Sequence, residues 1–364
     1  MKKSLIAIAI LTCSISGFSQ LDSLKEGFSK QFALDFYYSY DLNQPFNHER
    51  PLLLYQYNKH DQMSINMAIA DFSYVKGKMS ANIGFNFGDF PSANMAHERD
   101  LLNALYEANI NYRFTEDLEL TVGMFSSHMG FESALSFDNL LTSHSLASEW
   151  TPYYLAGAKL GYKPFEKWYF SLTIANGNQN ITESEANTNK ALGVQITFTP
   201  NDKLTINYSN LYSNDSPDST AVFVLYNNLY ATYSPFEKLD IVAGFDYAMA
   251  DNRVTSTQSA LFVGSFLARY YVFDKWAVAG RFEAYNDPDG IYFTPIVGKF
   301  ETLSYSGGLE YFANDNIKFK LEGRAFSNTS PIFRYDQGVN QANLGGVSYI
   351  ASNTNILFSI QAKF

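Results

Sequence analysis

Stretch after stretch of this chain alternates apolar and polar residues for about nine to thirteen positions, long enough for a tilted strand to cross a bilayer. Met79, Ala81, Ile83, Phe85 and Phe87 alternate with Ser80, Asn82, Gly84, Asn86 and Gly88. Leu102, Ala104, Tyr106, Ala108, Ile110, Tyr112 and Phe114 repeat the pattern, and so do Leu192–Phe198, Leu204–Tyr208, Leu239–Met249, Trp276–Ala284 and Ile317–Ala325. Strands of soluble sheets are usually about 5–6 residues. The chain ends on such a strand: Ile356, Phe358, Ile360, Ala362 and Phe364 form one face, and Asn355, Ser359, Gln361 and Lys363 the other. A terminal aromatic residue on a two-faced strand suits a barrel that closes at its C-terminus, with Phe364 as a signal read by the barrel assembly machinery.

The connections alternate in length. Short polar turns fall at Lys76–Lys78, Thr115–Asp117, Lys163–Lys167, Pro200–Lys203, Ser234–Lys238, Phe273–Lys275 and Ala313–Asn316. Longer segments at 42–60, 88–99, 127–151, 176–189, 213–219, 251–259, 286–299 and 327–352 separate them. About sixteen strands result, with both termini on the short-turn side, as in outer-membrane barrels with tight periplasmic turns and long extracellular loops. The turns share a pattern, Y-K-P-F-E-K-W at Tyr162–Trp168 and Y-S-P-F-E-K-L at Tyr233–Leu239 being near copies. Tyr162, Trp168, Tyr233 and Trp276 beside them fit an interfacial girdle, with rings at headgroup level and turn charges in water. The expected fold is an all-β, transmembrane, antiparallel up-and-down β-barrel. Alternation is poorest around 42–75 and 260–273, where strand pairing is least defined.

Residues 1–19 read as a signal peptide. Lys2 and Lys3 precede the apolar Leu5–Leu11, and Gly17 and Ser19 are the small residues before a cut at Gln20. A lipoprotein cut before Cys13 would need a small residue where Thr12 stands. Residues 20–30 are expected to be a short periplasmic segment, and 31–364 the barrel. Cys13 is the only cysteine, so the mature chain has no disulfide. Cleavage removes Lys2 and Lys3 and takes the net charge from −10 to −12. That balance argues against nucleic-acid binding. A mean hydropathy of −0.17 does not argue against a membrane barrel, since only alternate strand residues meet lipid.

If the apolar faces meet lipid, Asp35, Glu107, Arg113, Glu119, Arg281, Glu283, Lys318, Lys320, Glu322 and Arg324 line the lumen. Facing lipid near the midplane, an Arg or Lys would cost about 2–4 kcal/mol. A sixteen-stranded barrel leaves an aqueous channel unless it is plugged, and the sequence offers no globular plug. The third long segment, 127–151, is too apolar for a solvated loop, with Met129, Phe131, Leu135, Phe137, Leu140, Leu141 and Leu146. Folded inward, it would place Glu132, Asp138 and Glu149 at a constriction, opposed across the lumen by Arg113, Arg281 and Arg324 in a transverse field. The alternative is a loop packed outside or against another barrel.

No catalytic constellation stands out. The five histidines, His48, His60, His97, His128 and His144, lie in or beside long loops without the spacing of a helical zinc site. D-P-D-G at Asp287–Gly290 lacks the glutamate of a calcium loop. His128 or His144 with Ser126, Ser127, Ser143 or Ser145 would be needed for a loop-borne hydrolase. The chain is therefore expected to be no enzyme and to need neither metal nor cofactor.

The sequence resembles the OmpL-like β-barrel porin family of Bacteroidetes-type outer membranes. The resemblance rests on D-F-Y-Y-S-Y-D (Asp35–Asp41), the stretch Glu107–Phe125, G-F-E (Gly130–Glu132) and P-Y-Y-L-A-G-A-K-L (Pro152–Leu160). It implies a passive, porin-like channel and importance for Gly130 and Glu132, but no particular solute. The reading is thus an outer-membrane channel for small hydrophilic solutes, whose partners are membrane lipids and the assembly machinery. Association of several barrels stays open, as does a closed barrel that acts as a surface interaction or structural protein.

Overall fold

A computed structural model describes residues 26–51, 53–183, 186–336 and 348–364. The expected signal peptide lies outside the described residues. The strands are β1 (Gly27–Asp41), β2 (Gln62–Lys76), β3 (Met79–Phe87), β4 (Leu105–Arg113), β5 (Leu118–Ser126), β6 (Tyr154–Phe165), β7 (Trp168–Ala175) and β8 (Ala191–Asn201). They continue with β9 (Leu204–Ser213), β10 (Val222–Phe236), β11 (Leu239–Asn252), β12 (Thr257–Phe273), β13 (Trp276–Asp287), β14 (Phe300–Asn314) and β15 (Ile317–Asn328). A small hairpin, β16 (Phe333–Tyr335) and β17 (Ser348–Ile350), precedes the last strand, β18 (Ser352–Lys363). Every barrel strand pairs antiparallel with its chain neighbours, and β1 closes on β18, giving sixteen strands with no open edge. Closure satisfies every ladder, which the bilayer interior requires.

The barrel starts earlier than expected: Gly27–Lys30 pair with Phe72–Val75, so they belong to the wall and not to a preceding segment. Leu102 and Ala104 also depart from expectation. They lie in a 3-10 turn, Asp100–Ala104, and the strand begins at Leu105. The sixth long connection shrinks to 253–256, because β11 and β12 extend toward each other.

Alternate residues separate two surfaces. Ile356, Phe358 and Ile360 of β18 are exposed on the outer face, whereas Asn355, Ser359 and Gln361 are buried inside. Tyr162, Trp168, Tyr233 and Trp276 are exposed beside the short turns. Trp168 stacks on Phe198 at 4.4 Å and Trp276 lies 4.7 Å from Tyr311. Phe364 is bound in register with the first strand, its N–H donating to Phe32 O (2.8 Å) and its carbonyl accepting from Phe32 N (3.0 Å).

The interior is less uniformly polar than alternation suggests. On the long-loop side the wall turns Leu211, Tyr226, Leu261, Tyr285, Phe300 and Phe326 inward, and these pack with Leu53 and Leu54 of the first loop and Met129 and Leu146 of the third. Where such strands also face lipid with Phe262 and Phe266, both faces are apolar and the period-two signal fades, as it does along β12.

Candidate functional site

The third loop (127–153) enters the barrel and is held there by the wall. Phe131, Leu140 and Leu141 pack on Tyr230, Val242 and Leu267, the inward residues of β10, β11 and β12. Three wall glycines form niches for it. A Cβ on Gly193 would lie 2.5 Å from the His128 ring, on Gly244 3.0 Å from Phe131, and on Gly308 2.7 Å from Leu141. Gly308→Val should therefore push Leu141 out and lower the thermal stability of the barrel by about 1–3 kcal/mol, the range for overpacking. An unchanged melting transition would show that the niche is not needed.

Polar anchoring is denser still. Ser143–Leu146 lies against four charged residues on β13 and β15. Glu322 accepts from Ser143 N (2.8 Å) and Ser143 Oγ (2.7 Å). Glu283 accepts from Leu146 N at 2.5 Å. Arg281 donates to Ser143 O at 2.6 Å, and Arg324 to His144 O at 2.7 Å. The same charges pair among themselves: Arg324 with Glu283 at 2.7 Å, and Arg281 with Glu283 and Glu322, each at 3.1 Å. All four side chains are essentially inaccessible. Deeper in the barrel, Lys318 donates to Phe137 O (2.6 Å), and Lys320 to Ser136 O (2.7 Å) and Asn139 O (3.0 Å).

The expected transverse field does not have this form. Arg281 and Arg324 touch the loop instead of opposing it across water, because buried loop carbonyls and carboxylates need donors. Glu132 lies 3.9 Å from Arg281 and accepts from Ser145 N and Oγ, both at 2.7 Å. Asp138 pairs with Lys363 at 2.7 Å, near the short-turn end. Glu149 accepts from Tyr55 N of the first loop at 2.9 Å, and burial pushes its carboxyl up to about 8. Arg113 stands on a different sector, paired in register with Glu119 across β4 and β5.

That sector carries charges of its own. In the β2–β3–β4 register Asp71 and Glu107 flank Gly84, and a Cβ there would meet Asp71 Oδ1 at 2.8 Å. Two rows nearer the turns, Asn111, Thr121 and Lys159 align across β4, β5 and β6. Sequence reasoning misses Asp71 and Lys159 because no alternating run points to β2 or β6. By contrast, the inward positions of β7–β9 include Ser171, Thr173, Gln195, Thr197, Asn207 and Ser209, with no charge.

His128 and His144 are buried in the third loop and hydrogen-bonded to backbone carbonyls. His144 Nε2 lies 2.8 Å from Ser133 O, its Nδ1 meets the Tyr153 hydroxyl, and Tyr153 stacks on the ring at 5.2 Å. Burial holds His144 down to about 3 and His128 down to about 4. His128 Nε2 bonds Asn210 O at 2.9 Å. Among these contacts neither ring meets a serine hydroxyl, as a loop-borne hydrolase would require.

Residues 29–364 match the family model described as putative beta-barrel porin-2, OmpL-like. The chain belongs to the OmpL-like β-barrel porin family. Solved porins share the architecture. An anion-selective porin from Comamonas acidovorans superposes with a TM-score of 0.61 at 9% identity, covering 93% of this chain and all (100%) of that one. The trimer form of OmpT from Vibrio cholerae gives 0.59 at 10% identity, with 93% and 100% coverage. OmpF of Salmonella typhi, in complex with daunomycin, gives 0.57 at 11% identity, with 93% and 97% coverage. No curated protein matches the sequence. Family and fold together make this chain an outer-membrane porin-type barrel.

Proposed function

We propose that this OmpL-like porin lets small hydrophilic solutes diffuse passively through a lumen narrowed by the third loop, and that it is a channel and no enzyme. The observation that carries this is the fixing of Ser143–Leu146 to Arg281, Glu283, Glu322 and Arg324, which commits the loop to one side of the wall. The solute route then follows the opposite sector, β2–β6, where Asp71, Glu107 and Lys159 remain partly accessible. Glu132, Asp138 and Glu149 belong to the loop that sets the width, while Arg113, Glu119 and Lys159 tune charge preference from the wall. Phe364 serves as the assembly signal, and the outer aromatic faces meet lipid or a neighbouring barrel, as the trimeric relative suggests.

One observation favours a second reading, a closed barrel acting as a surface interaction or structural protein. Gln195, Thr197, Asn207 and Ser209 face inward yet are at most 1% exposed. Single-channel recording separates the two. The channel reading expects steady open steps from refolded protein in a planar bilayer, with Lys159→Gln shifting selectivity toward cations. Silence from demonstrably folded, inserted protein would overturn it and favour the closed barrel.

A further inference from the structure

The first loop (42–61) has the sequence of an ordinary extracellular connection, and it is not one. Its segment Tyr55–Tyr57 lies inside the barrel, with Gln56 and Tyr57 buried. Tyr57 adopts φ +50, the left-handed region, which is costly for an aromatic residue and persists only where the surroundings enforce it. What enforces it is a set of contacts in two directions. Toward the wall, the Tyr57 hydroxyl donates to Asp35 Oδ2 of β1 at 2.5 Å, its N–H donates to Asn66 Oδ1 of β2 at 3.0 Å, and its ring stands edge-on to Tyr37 at 5.1 Å. Toward the third loop, Gln56 Nε2 donates to Ala134 O at 3.3 Å and lies 3.0 Å from His144 Nε2. Gln56 Oε1 accepts from Ser136 Oγ at 3.3 Å, and Tyr55 N donates to Glu149 at 2.9 Å.

We propose that the first loop is a positioning strut for the third: Gln56 and Tyr57 brace loop 3 from the β1–β2 side, beyond its anchors on β13 and β15 and far round the barrel from its packing on β10 and β11, and so set the width of the lumen. The part concerning width rests on the channel reading above; the bracing itself does not. The charged anchors of Ser143–Leu146 stand on β13 and β15 and the packing of Phe131, Leu140 and Leu141 on β10–β12, and a loop held along one arc of the wall can swing about it. Gln56 and Tyr57 supply the second flank, and the Arg50 guanidinium, donating to Tyr57 O at 2.9 Å, keeps the strut's own backbone in place. The wall contacts of both residues run to Asp35 and Tyr37 of β1, Asn66 of β2 and Gln361 of β18, which donates to the Tyr57 hydroxyl at 3.3 Å, and none runs to Asp71, Glu107 or Lys159 on the solute route, so both act through loop 3.

The test uses the full mature chain with Gln56→Ala and Tyr57→Phe, the latter keeping the ring and removing only the hydroxyl. Lys59→Ala, whose ion pair with Glu49 is on the surface, is the control. Two readouts are taken: single-channel conductance, and thiol labelling of Ala147→Cys, a buried position in loop 3. Gln56→Ala should raise labelling about ten-fold, as expected when a few buried hydrogen bonds to a local unit are lost. Conductance should rise about two-fold, while the heat-modified mobility of the barrel and both readouts of Lys59→Ala stay unchanged. Labelling unchanged in both Gln56→Ala and Tyr57→Phe would overturn the strut. Faster labelling in a barrel whose wild type never conducts would uphold the strut and overturn the channel reading instead.

Discussion

Arg324→Met should free the third loop while leaving the strand ladder intact. The Arg324 guanidinium is buried and donates four hydrogen bonds: Nε to Ser304 Oγ at 3.0 Å, Nη1 to Ser143 Oγ at 3.2 Å and His144 O at 2.7 Å, and Nη2 to Glu283 at 2.7 Å. Methionine fills similar space, so the loss is electrostatic more than steric. Glu283 keeps Arg281 and Leu146 N as partners, but two arginines facing three carboxylates, Glu132, Glu283 and Glu322, become one. Breaking one side of a buried ion pair costs about 3–5 kcal/mol, and the system can avoid that cost by releasing Ser143–Leu146 and admitting water. The strand hydrogen bonds of β15 to β14 and β18 do not depend on the side chain. Conductance should therefore rise several-fold while the far-ultraviolet spectrum stays that of a barrel. The double variant Arg324→Met, Glu283→Gln should be milder than the sum of its parts, because neighbours in one network are not additive. Wild-type conductance together with wild-type melting in Arg324→Met would show that the network does not hold the loop.

The wall is far more legible in the sequence than its contents, for a physical reason. A membrane strand is written locally: lipid on one side and polar surroundings on the other impose period two, and the turn chemistry marks each reversal. The seven short turns and the final strand can therefore be read in single windows of sequence, down to Trp168 and Trp276 beside their turns. The lumen is written by distant pairs. Nothing near Tyr57 in sequence announces Asp35 as its partner, and nothing near Ser143 announces Glu322, 179 residues away. Loop 3 betrays its burial through Phe131, Leu140 and Leu141. Loop 1 gives less, because Gln56 and Tyr57 are ordinary residues of a polar loop until the backbone turns them inward. Alternation puts the charged strand residues on the inner side and is silent about their role. A sequence shows that Arg281 and Arg324 avoid lipid; it does not show whether they end facing water or a carbonyl.

The packing of the third loop should be tightest in mildly acidic solution and loosen on both sides of it. Two buried loop groups set the limits. Burial raises Glu149 from 4.5 to about 8. Its protonated form is favoured when the loop is docked, so its contribution is complete below about pH 4.5 and is lost as pH rises through about 8. Burial lowers His144 from 6.5 to about 3. Its neutral form is favoured when docked, so its contribution is complete above about pH 6.5 and is lost as pH falls toward 3. The two windows overlap best between about pH 4.5 and 6.5. Around Glu149 the Tyr55 N–H and Arg324 favour the charged carboxylate and Glu132 opposes it, and burial outweighs them in favour of the neutral acid, which still accepts from the Tyr55 N–H. A tenfold difference in proton affinity between the docked and the open loop corresponds to about 1.4 kcal/mol, enough for a roughly ten-fold change in loop opening. Labelling of Ala147→Cys should be slowest near pH 5–6 and accelerate at pH 9, after correction for thiolate fraction with an unfolded control. Glu149→Gln keeps an acceptor for Tyr55 N and removes the titration, so it should flatten the alkaline limb and leave the acid limb; His144→Phe should do the reverse. Labelling that is flat from pH 4 to 9 in the wild type would mean that neither group governs docking. An alkaline limb that survives Glu149→Gln would move its origin to the wall, among the charges of β13 and β15.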